Sequence, residues 1–205
     1  MVSRFATVIA ALAVATVGAG LNRVGDAAGQ DGPWRTGQFL VATEKLRDPR
    51  FDHTVIYLVR HDADGAMGLV VNRPIGPVPA AQVLEAFGLD TNGGTGDLHV
   101  HYGGPVQPRR GFVLHTSDYT GPTTRIVRDG IALTAELPVL SAIARGQGRR
   151  QSLFAFGYAG WAPDQLEGEI RDGAWITVPA DATLLFDADH ARKWERATAR
   201  LRIRL

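Results

Sequence analysis

Residues 54–72, TVIYLVRHDADGAMGLVVN, decide how this chain folds. TVIYLVR (54–60) is β-branched and apolar throughout, the pattern of a strand buried on both faces. HDADG (61–65) carries turn chemistry, with Asp64-Gly65 a strong hairpin dipeptide. AMGLVVN (66–72) is the returning strand, and Gly68 within it predicts a bulge or a close backbone approach. Asn72-Arg73-Pro74 is expected to end the pair, because proline has no N–H to continue a ladder.

Working outward, FLVAT (39–43) reads as a first strand and 44–53 as a polar loop. PAAQVLEAF (79–87) predicts a short helix with Val83, Leu84 and Phe87 on one side, stopped at Gly88. LHVHY (98–102) alternates like a half-exposed strand. GFVLHT (111–116) follows a polar turn. RIVRDGIALT (125–134) is a second hairpin, and SLFAFGYA (152–159) a buried strand. PVLSAIAR (138–145) and PDQLEGEIR (163–171) read as helices. Trp175–Val178 and Leu184–Phe186 read as short strands. A last helix runs from about Asp189 to Leu201, with Ala191, Trp194, Thr198 and Leu201 as its apolar stripe and Asp187 or Asp189 as its cap. Strands outnumber helices without strict alternation. The expected class is therefore α+β in one domain with a mixed sheet.

Composition narrows the function. Of 205 residues, 45% are apolar and 21% charged, as in an ordinary globular protein. With no cysteine, thiolate catalysis, disulfides and thiolate-bound metals are excluded. The net charge of +1 is unevenly placed. Residues 192–205 carry Arg192, Lys193, Arg196, Arg200, Arg202 and Arg204 against Glu195, a net +5, whereas residues 37–191 carry −5. A basic C-terminal helix could touch phosphates or fold back onto the acidic body. Aromatic interleaving and a helix-turn-helix pattern are missing, so nucleic acid is not the expected partner.

Residues 5–21, FATVIAALAVATVGAGL, are uncharged and follow Arg4. This is the layout of a secretory signal, with small residues permitting cleavage after Ala19 or Ala27. An uncleaved anchor and an apolar tail on a cytoplasmic protein are the alternatives. The expected organisation is signal or anchor at 1–27, linker at 28–36, and a domain at 37–205. Export to the periplasm follows from the first reading. Membrane contact would come only through an uncleaved N-terminal segment.

Several stretches resemble the AlgH/YqgE family in order: GQFLVAT (37–43), Asp48-Pro49 with Phe51, TVIYL with His61, GAMGLVVNRP (65–74), HYGGPV (101–106), RGFVLH (110–115) and GYAGWAPDQLEGEI (157–170). The resemblance covers about Gly37 to Trp194. Glu44-Lys45 departs from it, since the family usually has a small or proline-containing segment there. The N-terminal extension also differs from the usual cytosolic members. The resemblance implies a bifurcated, barrel-like sheet with a few flanking helices. Members often carry the label of transcriptional regulator after a link to alginate control. No catalytic activity or cofactor comes with it.

The candidate ligand cleft gathers His61, Asn72, Arg73, Gly103, Gly104, Pro105, His115, Trp161, Gln165 and Glu169. His61 and His115 are possible acid–base groups. Their expected role is to hydrogen-bond backbone at strand ends. Gly103-Gly104-Pro105, with Arg109 and Arg110, is either an anion nest or a tight turn, and the turn is expected. Gln165 and Glu169 share a helix face. With Trp161 they are expected to pin that helix, the alternative being a polar pocket that includes Asn72. His99 and His101 point to one face as a two-histidine half-site without a third ligand, so no metal is assigned. No residue is assigned a catalytic role. Three readings result: a non-enzymatic binding or regulatory protein with a protein or small-molecule partner, a hydrolase using His61 or His115, and a regulator touching DNA through the C-terminal helix.

Overall fold

In the hairpin at the centre of the fold, β2 (Val55–Asp62) and β3 (Gly65–Val70) pair antiparallel. Ala63 and Asp64 form the loop, and the Asp64 N–H is held by the Asp62 carboxylate at 3.0 Å. The register shifts between Leu58 and Arg60, opposite Gly68. A side chain at Gly68 would run into Ile56 and the Tyr57 carbonyl. Both parts of the Gly68 expectation hold. The computed structural model describes residues 34–86, 88–92, 96–135, 141 and 151–201. Residues 1–33, Phe87 and, apart from Ser141, the helix expected at 138–145 lie outside them.

Alternation along β2 separates two cores. Val55, Tyr57 and Val59 enter one, with Phe39, Val41, Leu69, Leu114 and Leu185. Ile56 and Leu58 enter the other, with Leu40, Phe51, Val70, Trp161 and Trp175. Successive residues of a strand face opposite sides, so a strand apolar at every position must be covered twice. The remaining strands are β1 (Gln38–Ala42), β4 (Pro74–Pro79), β5 (Asp97–Tyr102), β6 (Val106–Thr116), β7 (Thr124–Arg128), β8 (Ile131–Thr134), β9 (Ser152–Trp161) and β10 (Trp175–Pro179). The helices described are α1 (Ala80–Ala86), α2 (Gln165–Arg171), α3 (Ala182–Leu185) and α4 (Lys193–Ala199), with a 3-10 turn at Pro49–Phe51. α1 closes a third core over Leu98, Val100, Val113 and Phe154.

The sheet runs β10-β1-β2-β3-β9-β6-β8-β7, with β5 on β9 and β4 on β5. β9 is where it forks. One edge of β9 pairs with β6. The other is shared, by β5 in parallel over Phe154–Phe156 and by β3 antiparallel over Ala159–Trp161. Gly103 sits at the division, donating its N–H to Phe156 O at 2.8 Å and accepting Val70 N–H at 2.9 Å. The result is a single α+β domain with a mixed, curled, bifurcated sheet.

Four local expectations are corrected. The chain does not leave the sheet at Pro74, because PIGPVP forms β4. Proline is tolerated there since β4 pairs on one side only, as edge strands allow. Residues 107–110 continue β6 instead of forming a turn. Leu184-Leu185-Phe186 is not a strand. Asp181 caps α3 by accepting Leu184 N–H at 2.8 Å, which turns the apolar run helical. In the last helix neither Asp187 nor Asp189 is the cap residue, which is Arg192, and Ala191 is exposed. The buried positions are Lys193 and Ala197.

Candidate functional site

Four of the predicted residues converge on α2. The Glu169 carboxylate accepts Trp161 Nε1–H and Trp175 Nε1–H, both at 2.8 Å, and Gln165 Nε2–H at 2.9 Å. Gln165 Oε1 accepts the Ala162 N–H. One carboxylate thus ties two indoles and its own helix together, the pinning network expected of this motif. His61 reaches the same helix. The Arg35 N–H donates to its Nδ1 at 3.0 Å, so Nε2 carries the proton and donates to Glu167 at 2.7 Å. The Trp34 ring stands edge-on to the imidazole. Both ring nitrogens are engaged.

His115 is held elsewhere. Its Nδ1 donates to Thr116 O at 2.8 Å, leaving Nε2 to accept the Thr134 hydroxyl at 2.8 Å. Thr134 and Thr124 hydroxyls meet in turn, and Thr124 accepts Gly121 N–H. Asn72 is not part of the α2 network. It bridges Val55 N–H and His53 O, while Arg73 donates to Asp52 O. These bonds shape residues 52–55 beneath the fork. There Arg50 and Arg73 bear on the phenol of Tyr102, which burial pushes above its ordinary range. Arg50 is also bidentate to Asp48, which it holds below the usual carboxylate range.

Gly103 and Gly104 serve close approach. A Cβ on either would strike the backbone of β9, and Gly157 faces Gly104 with the same restriction. Gly104 (φ +149°) and Gly157 (φ +71°) also adopt backbone angles that other residues reach only with strain. The Gly103 N–H is spent on β9, so the anion-nest alternative loses a donor there. Pro105 follows at the start of the crossing to β6. Arg110 lies over the Phe112 ring instead. A shallow cavity of about 660 Å³ lies beside α1, lined by Pro79, Gln82, Glu85 and Leu89, and holds none of the ten predicted residues.

A second group was not legible as a site. His101 is 2% exposed, yet neither ring nitrogen has a hydrogen-bond partner. The carbonyls of His99 and Phe154 bear on the ring without bonding geometry. His190 packs against it edge-on, ring centres 4.7 Å apart, and its buried Nδ1 is also unpartnered. Lys193, fully buried, donates to Val71 O at 3.0 Å and Leu185 O at 2.8 Å. Leu185 ends α3, so its carbonyl has no helical partner of its own. Burial pulls the His101 imidazole down to about 4 and the Lys193 ammonium down to about 8; His190 is lowered for the same reason. The signal in the sequence was the three-residue step from His190 to Lys193, hidden because both sit in a polar, basic stretch. His99 is exposed, and no group of three metal-ligating residues occurs among the described residues.

The basic helix is largely neutralised where it is described. Arg192 pairs with Asp189 at 2.5 Å, Arg200 with Asp181 at 2.5 Å, and Arg196 with Asp187.

Comparison with known proteins agrees with the architecture. A UPF0301 protein of Methylococcus capsulatus is 50% identical over 162 residues, spanning 79% of this chain and 88% of that protein. One from Caulobacter vibrioides is 47% identical over 175 residues, spanning 84% and 90%. The solution structure of the AlgH protein from Pseudomonas aeruginosa superposes with a TM-score of 0.71 at 42% identity, covering 85% of this chain and 93% of that one. A crystal structure from Corynebacterium diphtheriae, 17% identical with a TM-score of 0.64, shares the fold. The AlgH-like family model matches residues 39–205, and the chain belongs to that family.

Proposed function

We propose that this protein is a non-catalytic binding protein, acting by contact with a protein or small anionic ligand at the rim where Arg73 and Arg50 flank Tyr102. The observation that carries this reading is the engagement of its acid–base candidates. His61, His115 and Glu169 all spend their polar atoms on internal partners, which suits a scaffold better than a proton-transfer site. The pairing of Arg192, Arg196 and Arg200 with aspartates removes the main support for a DNA-binding helix. Backbone amides followed by NMR during titration with inorganic phosphate, citrate and a short acidic peptide test it. Saturable shifts confined to residues 50–53, 73 and 102 are expected. Absence of any shift, or turnover of ester or phosphoester probes that disappears in H61Q or H115Q, would overturn it.

Export is the second part of this reading. The apolar run at 5–21 and the small residues around Ala19 and Ala27 support it. N-terminal sequencing after cell fractionation checks it. A mature chain starting at Gly20 or Ala28 is expected, and an intact Met1 in the cytosol would end it.

A further inference from the structure

Among the described residues, the buried cluster beneath α4 has no unengaged counter-charge. His101 comes from β5, His190 from the segment before α4, and Lys193 from α4 itself. The groups facing them can be named element by element. β5 adds His99, α4 adds Arg196, and the preceding segment adds Asp187. Val71, just past the end of β3, offers its carbonyl, as do His99 of β5 and Phe154 of β9. Among the described residues Asp187 is the one carboxylate bearing on the cluster, and Arg196 already holds it.

We propose that His101, His190 and Lys193 form an acid-operated latch, which holds residues 186–201 against β3 and β5 while the imidazoles are neutral and releases them on protonation. Neutral, the two rings pack as apolar discs beside the Lys193 ammonium. A proton on either ring sets a second positive charge beside Lys193, where backbone carbonyls bear on the rings without bonding them and, among the described residues, no unengaged carboxylate is at hand. The depressed imidazoles agree with this, since the closed arrangement opposes their charging.

Lifting the segment relieves the conflict while giving up the burial of Lys193 and Ala197 and the bonds from Lys193 to Leu185 O and from Arg200 to Asp181. Among the described residues, its side-chain hydrogen bonds to the sheet and its margin run from Lys193 to Val71 O, from Trp194 Nε1–H to Ala42 O at 2.8 Å and from Arg200 to Pro179 O. Two ion pairs, Arg192 with Asp189 and Arg196 with Asp187, lie within the segment and travel with it. Release would uncover the partly buried Trp194 and Leu201 together with the core they cover.

Hydrogen exchange of the full-length chain tests the latch, with rates corrected for the intrinsic pH dependence of exchange. Between about pH 7.5 and about pH 4.5, protection of residues 186–201 should fall at least about tenfold more than protection of β2 and β9. H101F and H190N should each remove most of that difference. H190N retains a polar side chain at a partly exposed position, so it decides the matter if H101F fails to fold. Equal loss of protection across the segment and the sheet would overturn the proposal. So would a preferential loss that persists unchanged in H190N.

Discussion

The surroundings of α2 and of α4 solve the same problem in opposite ways. Each anchors a short helix to the sheet through buried polar side chains. At α2, Glu169 accepts three N–H groups and His61 engages both ring nitrogens, so each desolvated polar atom there has a partner. At α4, Lys193 is buried on two carbonyls, while His101 and the His190 Nδ1 find none. The first arrangement adds rigidity. The second makes attachment conditional on protonation state, because its closed form tolerates little additional charge.

The largest expected effect attacks the satisfied side. E169A would leave two indole N–H groups and one amide without their acceptor, and should cost about 3–4 kcal/mol in urea unfolding. E169Q should cost less, since it retains one carbonyl oxygen. Equal stability of E169A and wild type would erase the contrast between the two helices.

Next comes the acid limb of stability. The folded-state pKa of His101, about 4, lies below its ordinary value of 6.5, so the unfolded chain binds the extra proton between those values. Stability should therefore fall as pH drops from about 6.5 towards about 4, by about 3 kcal/mol from this residue, with His190 adding in the same direction. Denaturation curves across that range should flatten in H101F. The alkaline limb belongs to Lys193. Its pKa is lowered from 10.5 to about 8, so the unfolded chain holds the proton longer and stability should rise with pH through that window. A gain of about 2 kcal/mol by about pH 9.5 is expected, and K193M should lose the slope. The smallest effect is at the surface. R192A removes an exposed ion pair and should leave the denaturation midpoint unchanged within error.

The contrast also explains what could be read from sequence. The β-branched, apolar run of residues 54–60 with turn chemistry after it is local, and it predicted the central hairpin. The stretch at 157–170 carried Trp161, Gln165 and Glu169 within helical reach, so their network was legible before the fold was known. Trp175 was not, because it joins that network through tertiary packing alone. β4 was hidden by its three prolines, whose cost vanishes on a strand paired on one side. α3 was hidden because Asp181 capping outweighs the strand-like look of Leu184-Leu185-Phe186. Lys193 was counted with a solvated basic face. Only the fold brings it beneath the carbonyls of Val71 and Leu185, and only the fold sets His101 against His190.

The shared edge of β9 also bears on how the chain reaches this state. β3, β5 and β6 all wait for one strand that is made after them. Until residues 152–161 leave the ribosome, three ladders lack their common partner, and their open edges can pair with other chains. Contacts this distant in sequence close slowly. A nascent chain stalled before Ser152 should therefore depend on chaperones, whereas the same chain extended past Trp161 can close both branches around a single strand.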